Sequence, residues 1–293
     1  MTLSDHEFDV FKRRVRERVE IFLEERFVEL PDTEVSRIAQ HILLGGGRRW
    51  RAMLVIAAGH IFERDALDAC LPGAAALEMA HAASMLLDDL PSMDDASIRR
   101  GKPCAHLLFD SWAIDMAPSF MINMAYEVTL RQPGIDPARR VQVALEAASA
   151  ANRMVSGQQA DLIGLRAAST RDQLMECYAQ KSGSLYACAA KSGAILCGAG
   201  EKDAERLFRI GSHLGLAYQI MDDIADVEAT LDQLGKAPGM DEGKFTAPTV
   251  LGLEESRFWV EDLQDQALEG LESFGDSACH LLTLVRRASV VYA

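Results

Sequence analysis

The amino-acid sequence predicts an all-α helical bundle, and three observations carry that expectation. Apolar residues recur at steps of three and four through most of the chain, no alternating run of strand length occurs, and no proline stands between Ala138 and Ala237. With no low-complexity segment and no linker, a single domain over residues 1–293 is the expected organisation. Almost half of the residues are apolar, enough to fill a large core.

The elements follow in order. From Leu3 to Leu30 charged and apolar positions alternate at helical spacing, with Phe8, Phe11, Val15, Val19 and Phe22 on the apolar stripe, and Pro31 closes the run. A second helix ends at Gly45-Gly46-Gly47, and Arg48-Arg49-Trp50-Arg51 opens the next. Glycines that admit an anion to the backbone, beside three arginines at a helix start, suit a phosphate. The same letters read equally well as a helix cap followed by a solvated basic turn. Phe109 to Leu130 reads as a helix interrupted or kinked at Pro118. Asp136-Pro137 is an N-cap with proline at the first helical position and opens a long helix, and Thr170 with Gln173 forms a capping box for another.

Between these helices lies the acidic stretch Met79 to Pro103. Leu77, His81, Ser84 and Asp88 step by four, three and four, so a helix puts them on one face. Pro91 should end that helix and let Asp94 return on a loop toward Asp88. Two hard carboxylates so placed suit Mg²⁺, whose remaining shell is water and phosphate; the competing reading is an acidic helix end followed by a basic loop. A second cluster, Asp222, Asp223 and Asp226, rides on a helix whose buried stripe is Leu207, Ile210, Leu214, Ala217 and Met221. Asp222 and Asp226 are one turn apart and repel unless a cation joins them. One such cluster reads as a solvated face. Two of them, with Lys181, Lys236 and Lys244 available, point to a site.

A net charge of −14 and a pI near 5.0 argue against nucleic acid as a partner and against a broadly basic membrane face, so any phosphate must be held by local cations or metal. The six cysteines show no CxxC pair and read as buried, reduced thiols. The N-terminus has no apolar signal core and no run of 18 apolar residues occurs, so a cytoplasmic protein without stable membrane insertion is expected.

In this order these segments resemble the trans-isoprenyl diphosphate synthases of the polyprenyl synthetase family. DDLPSMDDASIRRGKP is similar to the family's first aspartate-rich motif and YQIMDDIAD to its second; GGRRWRA resembles its glycine-basic motif GGKRxRP. Lys181-Ser182-Gly183 resembles the Lys-Thr-Gly site, GQQADL at Gly157 to Leu162 the mid-chain GQxxDL, and LGKAPGMDEGKFTAPTVLGLE the downstream lysine region. The resemblance implies an isoprenoid synthase fold with a deep central apolar cavity, a homodimer, magnesium as cofactor, and isoprenoid diphosphates as substrates. It implies that Asp88, Asp94 and Asp222 hold the metal, with Asp89, Asp223 and Asp226 as further or water-mediated ligands. Arg99, Lys181 and Lys236 would hold the allylic diphosphate, with Gln219 beside it, Ser182 facing the ionising carbon and Lys244 as a further cation. Gly47, Arg48, Arg51, His81 and Arg100 would hold isopentenyl diphosphate.

The reaction implied is head-to-tail condensation of isopentenyl diphosphate with dimethylallyl, geranyl or farnesyl diphosphate. Arg48 replaces the family's usual lysine, Ala52 its proline, Ser182 its threonine and Ala117-Pro118 a common Gly-Asp, but no metal or phosphate position is lost. That retention disfavours a non-catalytic regulatory subunit. Ala83 and Ser84, both small, would line the cavity just before Asp88, with Phe120, near Met116 or Met124, as its floor. A small wall implies geranylgeranyl diphosphate as product, with farnesyl diphosphate as the alternative.

Overall fold

A computed structural model describes residues 2–164, 170–228 and 245–288. Helix α1 (Asp5–Val28) starts at a capping box in which the Ser4 amide donates to Glu7 Oε2 at 2.8 Å, and it buries Phe8, Phe11, Val15, Val19 and Leu23. Phe22, expected on that stripe, is only half-buried, because steps of four from Val15 through Val19 lead to Leu23. Helices α2 (Glu34–Leu43) and α3 (Trp50–Gly59) flank the glycine turn as expected.

Helix α4 (Ala66–Asp88) lies at the centre and packs against α3, against α5 (Ser111–Leu130) and against α8 (Ser184–Leu196). It is long and apolar enough to cross a membrane, yet most of it is enclosed by the other helices. Among the described residues the remaining α-helices are α6 (Pro137–Gln159), α7 (Arg171–Tyr178), α9 (Glu201–Glu228), α10 (Ala247–Leu251), α11 (Leu253–Leu271) and α12 (Cys279–Ala288). The caps at Asp136 and Thr170 are in place: Asp136 accepts from the Ala138 amide at 2.8 Å, and the Thr170 amide donates to Gln173 Oε1 at 2.9 Å.

Pro118 does not interrupt α5, which runs unbroken with Ala113, Ile114, Ala117 and Met121 buried on either side of the proline. One lost helix hydrogen bond is worth about 1 kcal/mol, whereas burying a side chain such as Ile or Met contributes about 1.5–3 kcal/mol each, so packing wins. Among the described residues the one β-ladder is a hairpin of two residues per strand, β1 (Ile98–Arg99) against β2 (Lys102–Pro103). Arg100 and Gly101 turn it with φ of 53° and 73°.

Candidate active site

The first acidic cluster forms where α4 stops. Asp88 is its last residue, and the turn at Pro91 brings the Asp94 amide back to donate to the Asp88 carbonyl at 3.0 Å. Burial pushes the Asp88 carboxyl up to about 6; Lys181 opposes that rise and Asp94 adds to it. Its neighbour Asp89 is buried and accepts from Arg99 Nε at 2.8 Å and Nη2 at 2.5 Å. Arg99 therefore clamps the basic hairpin to the helix end.

Across from this cluster stand two π-helical turns, Ala160–Gly164 and Ala179–Gly183, which widen the backbone where α6 and α7 end. They meet through Lys181 Nζ, which donates to Asp161 Oδ2 at 2.5 Å. Burial works against the ammonium, but Asp161, Asp88 and Asp94 outweigh it and its pKa is raised. Lys181 thus stays charged while feeling the first acidic cluster. Close approach is possible because Gly157 has no side chain: a Cβ there would lie 2.3 Å from the Lys181 amide nitrogen. The second Lys-Ser-Gly triplet lies inside α8, where Lys191 pairs with Glu146 at 2.8 Å and Glu205 at 3.0 Å on the flank of the bundle.

The second acidic cluster rides on α9, whose buried stripe is the expected one. Ser182 Oγ donates to Gln219 Oε1 at 2.5 Å, and Gln219 Nε2 donates to Asp223 Oδ1 at 3.0 Å, so the triplet after α7 is tied to α9. Asp222 is half-buried and Asp226 buried. Asp223 is 3% exposed, and its other oxygen accepts from the Tyr178 hydroxyl and from the Ala247 amide at 3.0 Å. Burial and the Asp223 charge hold the Tyr178 phenol far above its ordinary value, so it remains a donor. Asp89 and Asp223, expected as further metal ligands, both point at protein donors. Lys236 and Lys244 lie outside the described residues.

Among the described residues no three His, Cys, Asp or Glu side chains converge on one metal-sized position. The donor set nonetheless fits magnesium. Asp88 and Asp94 are hard oxygen donors close enough for one to raise the proton affinity of the other, and a hard cation that keeps part of its shell for water and phosphate would relieve that repulsion.

Beside this lies the basic cluster. Gly47, with φ of 127°, leaves space that Arg100 fills: a Cβ there would sit 2.9 Å from the guanidinium carbon, and Arg100 Nη1 donates to the Gly46 carbonyl at 2.6 Å. Arg51 lies over the Tyr186 ring at 4.9 Å, and Arg48 is exposed next to the turn. Burial first, then Arg51, Arg100, Arg99 and Arg49, hold His81 well below its usual value, so the imidazole is neutral and surrounded by cations. The remaining arginine, Arg49, is 3% exposed; it donates to the Leu43 carbonyl at 2.6 Å and faces Glu78 at 3.6 Å. Glu78 also accepts from the Ala52 amide at 3.1 Å.

Ala83 is buried on α4, and Ser84 donates to the His81 carbonyl at 2.9 Å. On α5, Phe120 is half-buried and Met124 buried, whereas Met116 is 56% exposed and faces away from the core. Sequence reasoning missed Glu78, Asp161 and Tyr178 as site supports. Asp161 lies in the quoted GQQADL segment, so its position was marked; nothing local marks the other two.

The polyprenyl synthetase family profile matches residues 32–271. Geranylgeranyl pyrophosphate synthase 10, mitochondrial, from Arabidopsis thaliana is 35% identical over 263 residues, 87% of this chain and 76% of that one. A dimethylallyltranstransferase from Fischerella ambigua is 34% identical over 275 residues, 92% and 79% of the two chains. Among solved structures, an FPP/GFPP synthase from Zymomonas mobilis superposes with a TM-score of 0.86 at 27% identity, covering 97% of this chain and all of the other. With the two acidic clusters and the intervening lysine triplet lying within the matched span, the chain belongs to the polyprenyl synthetase family.

Proposed function

We propose that the protein is a magnesium-dependent prenyltransferase that condenses isopentenyl diphosphate head-to-tail with an allylic diphosphate and makes geranylgeranyl diphosphate. The observation that carries this reading is the pairing of two clusters: Asp88, Asp94 and Lys181, with the lysine triplet tied through Ser182 and Gln219 to the helix that carries Asp222, and beside them Gly47, Arg51, His81 and Arg100. When bound, magnesium supplies positive charge to a departing diphosphate. Lys181 and Arg99 would add fixed cations to that group, and Ser182, held by Gln219, would face the ionising allylic carbon. Neutral His81 and the arginines around it position the second diphosphate. Attack by its double bond joins the two chains, and loss of a proton completes the product.

The relatives' names and the small residues Ala83 and Ser84 support a twenty-carbon product. A homodimer is proposed from Trp112 and Met116 on α5 and Val141 and Leu145 on α6, large apolar side chains left exposed on two neighbouring helices. A cytoplasmic location without membrane insertion is proposed from the acidic composition and the enclosure of α4. The test is consumption of isopentenyl diphosphate by purified protein with an allylic primer, with and without Mg²⁺. Turnover should vanish in excess chelator, and full turnover there would overturn the metal assignment.

A further inference from the structure

At the end of α4 far from Asp88, Cys70 meets Cys197, the residue that caps α8. Their sulfurs are 3.4 Å apart, although the residues are 127 apart in sequence. Cys70 is fully buried and Cys197 only partly so, which makes Cys197 the one of the two nearer to solvent. Gly59 on α3 makes the meeting possible, since a Cβ there would lie 2.8 Å from the Cys70 sulfur and 2.9 Å from the Cys197 sulfur. The hydrogen bond from Cys70 lowers the Cys197 thiol's pKa, with a smaller contribution from Arg139, while Cys70 itself is raised well above its ordinary value. The remaining four cysteines have no such partner: Cys104, Cys177 and Cys188 are buried singly, and Cys279 lies against His280.

We infer that Cys70 and Cys197 form an oxidation site that closes to a reversible disulfide with peroxides, Cys197 acting as the attacking sulfur and Cys70 as the resolving one. The Cys197 thiolate attacks a peroxide oxygen and breaks the O–O bond; the departing hydroxide takes up a proton as water, and Cys197 becomes a sulfenic acid. The Cys70 sulfur then attacks the Cys197 sulfur, the S–S bond forms, and the displaced hydroxide leaves as water with the Cys70 proton. Two thiols lose two electrons and two protons, and hydrogen peroxide becomes two waters. Forming the bond closes the sulfurs from 3.4 Å to about 2.0 Å, and both already sit in the room that the missing Gly59 side chain leaves. In a reducing compartment the bond is transient, and its effect is to keep the Cys197 sulfur on the reversible part of the oxidation ladder. Both cysteines lie at the end of α4 and α8 opposite the candidate active site; Cys70 is about 27 Å along α4 from Asp88.

The test treats full-length protein with hydrogen peroxide, blocks free thiols, digests it without reductant and maps the peptides by mass spectrometry. The expected result is one cross-linked pair, Cys70 to Cys197, with the thiol count falling from six to four and recovering with dithiothreitol. In Cys70→Ser, whose hydroxyl can still donate to the Cys197 sulfur but cannot resolve a sulfenic acid, Cys197 should proceed to sulfinic acid that dithiothreitol does not reverse. Cross-linking through any other pair, or accumulation of Cys197 sulfinic acid in the wild-type chain without the bond, would overturn the assignment. Mapping the wild-type protein decides this even where a variant folds poorly, and it needs no prenyl transfer, so failure here is separable from failure of the proposed activity.

Discussion

Asp88 shows how the site stores charge at the scale of one residue. Its pKa rises from 3.8 to about 6, so between those values the folded chain holds more protons than the unfolded one. Stability of the metal-free protein should therefore fall as pH rises through that window, by about 1–3 kcal/mol after allowance for solvent screening. Asp88→Asn should flatten the slope between denaturant midpoints at about pH 4.5 and about pH 7; an unchanged slope would show that Asp88 is not the group responsible. Asp222→Ala and Asp223→Asn should separate two roles within one cluster. The first should lower turnover by about a hundredfold or more with the fold intact. The second, which removes the charge that collects Tyr178, Gln219 and Ala247, should cost about 1–3 kcal/mol of stability. Thermal melts beside steady-state rates distinguish them, and equal loss of stability in both variants would contradict the division. Spacing made Asp222 and Asp226 legible as neighbours on a face. It could not reveal that Asp223 is saturated, because its partners lie 45 residues upstream and 24 downstream.

At the scale of the element, helices with strong periodicity or a cap were legible and the π turns were not. The capping box at Thr170 and the N-cap at Asp136 mark α7 and α6 where they begin, and Thr170→Ala should cost about 1 kcal/mol, read from a denaturant midpoint. The two Lys-Ser-Gly triplets are identical as text, yet Lys181 sits on a π turn facing acidic residues and Lys191 in a regular helix on the flank. What separates them is the width of the backbone and the missing side chain at Gly157, neither of which has a period to read. Pro118 failed as an interruption signal because the apolar residues on both sides of it are held by the core. Helix α4 also carries the length prediction: Ala83→Tyr should shorten the main product to fifteen carbons, seen by chromatography of dephosphorylated products. No change would show that Ala83 does not line the growing chain.

For the whole molecule, the fold class and the order of its parts were legible because apolar spacing is a global property of the chain. The tertiary clasps were not: Glu78 beneath the arginine turn and Tyr178 beneath Asp223 are ordinary residues in their local sequence, and only packing brings them to the site. The exposed apolar side chains of α5 and α6 belong to this scale too. Trp112→Glu should shift the protein toward monomer in sedimentation, and an unaltered sedimentation coefficient would place the interface elsewhere. The central claim, that two diphosphate half-sites join an allylic chain to isopentenyl diphosphate, is tested most directly by sizing what the enzyme makes. Purified protein, Mg²⁺, labelled isopentenyl diphosphate and dimethylallyl, geranyl or farnesyl diphosphate should give geranylgeranyl diphosphate as the main product; no elongation of any of the three primers would contradict the account.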